Sequence, residues 1–244
     1  GYMNPSKIDI DRNVSKLRVN SAEFLNLEKS TLISMLEETM ENITSIAYYW
    51  ATLASEKKGT LTKSKEGEEW IGGPFACIYA IQYFIESILN EEDLDISKFD
   101  DSTKSYKVFP TKNIEKLLFP FLEGEVKFGK NLSFEQINEY RGFANRFQNN
   151  KPKITLVLGA GNVSSIPVLD ALFHMIANKS VIYLKLNPVN DYLLPIFTQI
   201  FEPFIARGFM VVSEGDMKAS QYLTEHDGFQ HTHLTGSNFT YENI

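Results

Sequence analysis

The chain has 244 residues, enough to bury a full core in one or two domains. Hydrophobic residues at 43% and charged residues at 23% are ordinary for a globular protein, and a formal net charge of −7 argues against nucleic acid or an anionic membrane as the main partner. The single cysteine, Cys77, excludes an intrachain disulfide and points to a reducing compartment. No apolar run reaches the length of a membrane span, because Glu86, His174 and Lys185 interrupt the candidates. Nothing at the start resembles a signal peptide, and Gly1 and Tyr2 ahead of Met3 read as a cloning scar. A cytoplasmic protein is expected.

Residues 1–20 are polar without sustained periodicity and read as an extended arm. From Thr31, the residues Leu32, Ile33, Leu36, Met40, Ile43, Ala47 and Trp50 recur at three- and four-residue steps, which predicts one amphipathic helix ending near Lys57-Lys58-Gly59. Residues 63–69 are charged and read as a solvated connector. Trp70-Ile71-Gly72-Gly73-Pro74 opens a second apolar helix, over 75–89, which carries Cys77. Nothing near Cys77 in sequence supplies a base or an oxyanion turn, so it reads as a buried structural cysteine. Residues 105–128 are mixed, broken by Phe109-Pro110 and Phe119-Pro120. Ser133 and Gln136 form a capping-box pattern that opens a helix to about residue 147. Asn149-Asn150-Lys151-Pro152 is the clearest boundary. Three parts are expected: an arm over 1–20, a helical segment over 21–150, and a final region over 151–244 on which that segment packs.

The final region alternates in type. A continuous apolar run at 154–158 reads as a strand buried on both faces, followed by a helix at 167–177. A strand at 180–186, a helix at 192–207, a strand at 209–213, a helix at 217–225 and a strand at 230–234 complete the series. Strands separated by helices predict an α/β, Rossmann-like parallel sheet with crossover helices, preceded by the N-terminal helical region. Ligands on such sheets sit beyond the carboxyl ends of the strands. Here those ends are Gly159-Ala160-Gly161-Asn162, Lys185-Leu186-Asn187-Pro188, Glu214-Gly215-Asp216 and Thr235-Gly236-Ser237. Three carry glycine and one a lysine, which suits a phosphorylated ligand.

Gly159-Ala160-Gly161 alone is shared by several nucleotide-binding classes. The usual dinucleotide fingerprint has a third glycine where Ser164 stands, and a methyltransferase site wants an acidic residue where Val157 stands. Both would favour a carboxylate at the second strand end, where this chain has Lys185. A cation there suits a phosphate or 2′-phosphate. His226, His231 and His233, with Glu225 and Asp227, also raise a metal site, since His231 and His233 share one face of a strand. Two polar side chains on a partly exposed last strand are the favoured reading, and no metal is expected.

Gly161-Asn162 followed by Pro167, then Val181-Ile182-Tyr183-Leu184-Lys185, then Leu234-Thr235-Gly236-Ser237 resembles the aldehyde dehydrogenase superfamily over residues 151–244. The resemblance implies that the Asn162 amide donates to the oxyanion of a cysteine thiohemiacetal, a role in which one donor is worth about 3 kcal/mol. It implies that Lys185 contacts the adenosine ribose or its phosphate, and that Gly236 and Ser237 lie against the dinucleotide phosphates at a helix N-terminus. Gly159, Gly161, Asn187 and Gly215 complete the expected cofactor-binding set. Without the family, Asn162 reads as a turn asparagine, Lys185 as a surface lysine and Ser237 as a helix cap. Pro188 stands where the family's ribose-binding glutamate would be, so NADP fits at least as well as NAD, and Leu186 in place of a proline leaves room for the acyl-CoA reductase branch.

In that family the catalytic cysteine and the glutamate base lie downstream of the Thr-Gly-Ser turn in chains roughly twice this long, so the chain reads as the leading, cofactor-binding half of an enzyme. The implied full-length activity is aldehyde oxidation or acyl-CoA reduction with NAD or NADP, acting on a small-molecule aldehyde or acyl thioester, in a homo-oligomer without nucleic-acid or membrane partners. The chain alone is expected to be inactive. A non-catalytic nucleotide-binding or interaction module is the competing reading, and an S-adenosylmethionine-dependent methyltransferase is disfavoured by Val157 and Lys185.

Overall fold

The computed structural model describes residues 4–59, 63–89, 96–109, 124–127, 133, 151–159, 163–234 and 240–242. The chain divides into two compact units, one formed by residues 1–89 with 151–244 and the other by residues 90–150.

The larger unit has the expected α/β architecture. Strands β4 (Ile154–Leu158), β5 (Val181–Lys185), β6 (Met210–Ser213), β7 (His231–Leu234) and β8 (Thr240–Glu242) form a sheet in the order β6-β5-β4-β7-β8. The first four are mutually parallel, and β8 pairs antiparallel with β7. Every β5 residue is buried, which is why the run reads as continuous apolar sequence rather than alternating. Helix α5 (Ile166–Asn178) connects β4 to β5, α6 (Leu194–Ile200) and α7 (Glu202–Ala206) connect β5 to β6, and α8 (Met217–Glu225) connects β6 to β7.

The opening stretch is not an arm. Residues Lys7–Leu25 form helix α1, started by a capping box in which Ser6 Oγ accepts from the Asp9 amide and the Asp9 carboxylate accepts from the Ser6 amide. Its buried positions, Ile10, Val14, Leu17, Ser21 and Phe24, form a narrow stripe at heptad-like spacing. The apolar residues are too few among polar ones to dominate the composition, yet they suffice once the stripe meets the sheet. Helix α1 packs against β5, β4, β6 and α8, and the Phe24 and Phe209 rings meet at 5.0 Å.

Helix α2 (Lys29–Lys57) matches the expected periodic run and packs on α6 and α7. The charged stretch after it is also helical, as α3 (Lys63–Trp70), because a polar helix can lean on a neighbour through a few contacts. Glu69 is nearly buried and accepts from Lys58 Nζ at 2.7 Å. A π-helical kink over Ile71–Phe75 leads into α4 (Ala76–Leu89), where Cys77 is buried and desolvation pushes its thiol well above the usual range. Among the described residues no helix is long and apolar enough to cross a membrane.

The smaller unit corrects the expectation of a helical segment through residue 150. It contains strands β1 (Phe99–Asp100), β2 (Ser105–Phe109) and β3 (Gly124–Lys127), paired antiparallel in that order. Alternation of Tyr106 and Val108 with Lys107 is a period-two pattern, too short to stand out in the sequence. The helix expected after Ser133 falls outside the described residues.

Candidate functional site

In the sheet, β4 has β5 on one side and β7 on the other. The chain leaves β4 towards β5 and β6 and returns across the sheet to β7, so the strand order reverses at the β4–β7 boundary. The crevice beyond the carboxyl ends there is where an open α/β sheet binds ligands.

The turn after β4 begins with Gly159, whose N–H donates to the Lys185 carbonyl oxygen at 2.8 Å and carries the β4–β5 ladder one step further. A Cβ on Gly159 would lie 3.3 Å from that oxygen and 3.5 Å from the Pro167 ring. Gly161 and Asn162 lie outside the described residues. Beyond them, the Ser165 amide donates to the Gly72 carbonyl at 3.2 Å, and Trp50 Nε1 donates to Ser164 Oγ at 2.9 Å. Gly73 comes so close that a Cβ there would lie 3.1 Å from Ser164 Oγ. Ser164 and Ser165 are therefore held against a tryptophan of α2 and the kinked Gly-Gly-Pro segment. Sequence reasoning placed Trp50 in the core stripe and Gly72-Gly73-Pro74 at a helix start, and missed that both brace the site. The unusual run of two glycines and a proline was the available signal.

At the end of β5, Lys185 is only 3% exposed, its strand pairing with Leu158 on β4 and Ser213 on β6. It makes no side-chain hydrogen bond or ion pair to another described residue. Burial lowers the pKa of its ammonium, with the Asp216 carboxylate partly opposing that shift. Next to it, Asn187 Oδ1 accepts from the Val189 amide at 3.0 Å and caps the 3₁₀ turn Pro188–Leu193. Its side-chain oxygen thus has a local structural use.

At the end of β6, Gly215 has φ +150°, and a Cβ on it would lie 2.9 Å from Ala219 Cβ. A side chain is excluded there by conformation and by packing. Asp216 caps α8, with Oδ1 accepting from the Ala219 amide at 3.0 Å. That backbone bond leads the interactions holding its carboxyl below the ordinary range. Gly236 and Ser237, at the end of β7, lie outside the described residues. Residues 240–242 form strand β8 running back along β7, so the helix expected to open at Ser237 is not the element found at those positions.

The opposite face of the sheet carries His174 and His233, whereas His226 lies on the side covered by α1. Because side chains alternate along a strand, His233, Val157 and Leu184 face away from Lys185. His233 Nε2 and Asp170 Oδ2 of α5 are 3.0 Å apart, and the His233 and His174 rings lie 4.9 Å apart. His226 lies beside Asp11 of α1, at 3.2 Å. Among the described residues no group of three metal-ligating side chains is assembled.

No protein-family model matches the sequence, and no curated protein matches it. Among solved structures, the chain is similar to a probable aldehyde dehydrogenase from Listeria monocytogenes EGD-e, with 10% identity and a TM-score of 0.53 over 91% of this chain and 40% of that one. It is also similar to an acetylating aldehyde dehydrogenase from Geobacillus thermoglucosidasius, with 11% identity and a TM-score of 0.54 over 92% of this chain and 41% of that one. The chain thus spans about 40% of the length of these two structures. What it has in common with these aldehyde dehydrogenases is the fold.

Proposed function

We propose that this chain is the NAD(P)-binding part of an aldehyde dehydrogenase-like oxidoreductase. Its complete form would oxidise an aldehyde or reduce an acyl-CoA through a cysteine thiohemiacetal. The carrying observation is the parallel order β6-β5-β4-β7 with Gly159 and Lys185 at adjoining carboxyl ends. The donor set fits the cofactor. A lysine so little exposed as a residue, whose ammonium has no hydrogen-bond partner among the described residues, is favoured where an anion or ribose oxygens complete its surroundings. Lys185 would take the adenosine ribose or its 2′-phosphate, which favours NADP, and the backbone of Gly159 and Gly161 would face the pyrophosphate. Gly236 and Ser237 would contribute from the next strand end. The bound nicotinamide would accept or supply hydride, and Asn162 would orient the carbonyl oxygen of the substrate.

Cys77 is the one cysteine of the sequence and is wholly buried, which supports the reading that the nucleophile is not supplied by this chain. That observation equally favours a second reading, a nucleotide-binding module without catalysis. Thermal unfolding in the presence of NADP+, NAD+ and S-adenosylmethionine tests the proposal. A dinucleotide at one hundred times its Kd stabilises by about 2.7 kcal/mol, which raises Tm by roughly 5–10 °C for a chain of this size. A shift with S-adenosylmethionine alone, or with none of the three, refutes the dinucleotide reading. Aldehyde-dependent nicotinamide absorbance that vanishes in Cys77→Ala refutes the absent nucleophile.

A further inference from the structure

The N-terminal residues reach the same carboxyl edge from the far end of the sequence. The Asp216 amide donates to Asn4 Oδ1 at 2.8 Å, and Asn4 Nδ2 donates to Asp216 Oδ2 at 3.0 Å. Pro5 is the next residue. Its Cδ lies 3.3 Å, and Lys185 Cε 3.5 Å, from the single point where a Cβ on Gly215 would stand. Pro5 and the end of the Lys185 side chain therefore both lie against Gly215, and Lys185 is 3% exposed.

From this contact we propose that residues 4–5 form a strap that seals Lys185, and that a phosphate-bearing nucleotide reaches the ammonium only when the strap lifts from Asp216. The gate rests on the dinucleotide-binding reading above; the seal does not. Both Asn4 bonds lie at the surface, where such bonds contribute modestly, so the strap opens locally without unfolding the sheet. A ligand that binds only the open state has its apparent affinity reduced by the open fraction. Burial beneath the strap accords with the lowered proton affinity of Lys185.

Asn4→Ala removes both side-chain bonds at an exposed position, and Pro5→Gly thins the strap while leaving Asn4 in place. Two readouts separate the seal from the gate. Acetylation by an N-hydroxysuccinimide ester, with mass spectrometry of the products, reports access to Lys185, with exposed Lys179 as the internal reference. Titration with NADP+ reports the gate. In Asn4→Ala the Lys185 rate is expected to rise about tenfold relative to Lys179, and NADP+ to bind more tightly by a similar factor, as expected for losing two ordinary hydrogen bonds. Pro5→Gly should move both readouts in the same direction. An unchanged Lys185 rate in both variants overturns the strap whatever the nucleotide does. A raised rate with unchanged NADP+ affinity upholds the seal and overturns the gate. If neither wild type nor variant binds NADP+ or NAD+, the dinucleotide reading fails and the gate with it, while the labelling rates still decide the seal.

Discussion

His174 makes stability depend on mild acid in a way that one substitution isolates. The residue is 3% exposed on α5, and its Nδ1 lies 2.8 Å from Asn178 Nδ2, which donates to the neutral ring. Burial is the main force lowering its pKa from 6.5 to about 4, with the His233 charge adding, Asp170 opposing and His231 contributing slightly. An unfolded chain takes up this proton near pH 6.5, whereas the folded one resists until about pH 4. The stabilisation from the neutral ring is complete above pH 6.5, declines as pH falls through that value, and levels off below pH 4. The full shift corresponds to roughly 3 kcal/mol; allowing for screening at the edge of α5, about 1–2 kcal/mol is lost between pH 8 and pH 5. Urea unfolding of wild type and His174→Leu at both pH values measures it. Both tryptophans, Trp50 and Trp70, belong to the unit that contains His174, so their fluorescence reports the relevant transition. His174→Leu loses the Asn178 bond at every pH but has no proton to gain, so the stability gap between the proteins should shift by about 1–2 kcal/mol in its favour at pH 5. A gap constant to within about 0.5 kcal/mol from pH 8 to pH 4 refutes the reasoning.

Trp50→Phe leaves Ser164 Oγ buried without its donor and a partial void against Phe197, so thermal melts should show a loss of about 2–3 kcal/mol. Gly215→Ala forces a side chain onto a φ of +150° and into Ala219, and Tm should fall by roughly 4–8 °C as measured by circular dichroism. The Cys77 thiol should be inert to Ellman's reagent in the folded protein and react within the unfolding transition; rapid reaction under native conditions contradicts its burial.

The parallel sheet was readable because strands covered on both faces need apolar residues at nearly every position, and 154–158 and 181–184 have them. The same pattern located Gly159, Lys185, Asn187 and Gly215, since a βαβ chain must deliver every strand end to one edge. Helix α1 and the strands of the smaller unit were hidden for opposite reasons. In α1 the apolar stripe is narrow and diluted, and only the sheet beneath it gives Ile10, Val14 and Leu17 something to bury against. In β2 and β3 the runs are too short for period two to emerge. The local purposes of Asn187 and Gly215 were unreadable in a different way. Asn187 caps a turn whose geometry is set by Pro188, and Gly215 is compressed by Ala219 and by Pro5, which is more than two hundred residues away in sequence.

That long-range contact arises from how the two faces of the sheet are covered. Successive right-handed crossovers from β4 to β5 and from β5 to β6 progress in one direction, which puts α5, α6 and α7 on a single face. The return from β6 to β7 runs the other way and leaves its own face with one crossover helix, the nine-residue α8. A parallel sheet with a bare face would expose residues such as Tyr183 and Leu156, each fully buried here and worth about 2 kcal/mol of apolar burial. Helix α1 supplies the missing cover over β5, β4 and β6, and Tyr222 Oη donating to Asp11 Oδ1 at 2.7 Å ties it to α8. A helix in that position has its N-terminal residues at the Gly215 turn. The covering that completes the core therefore also brings Asn4 and Pro5 to the edge where Lys185 ends.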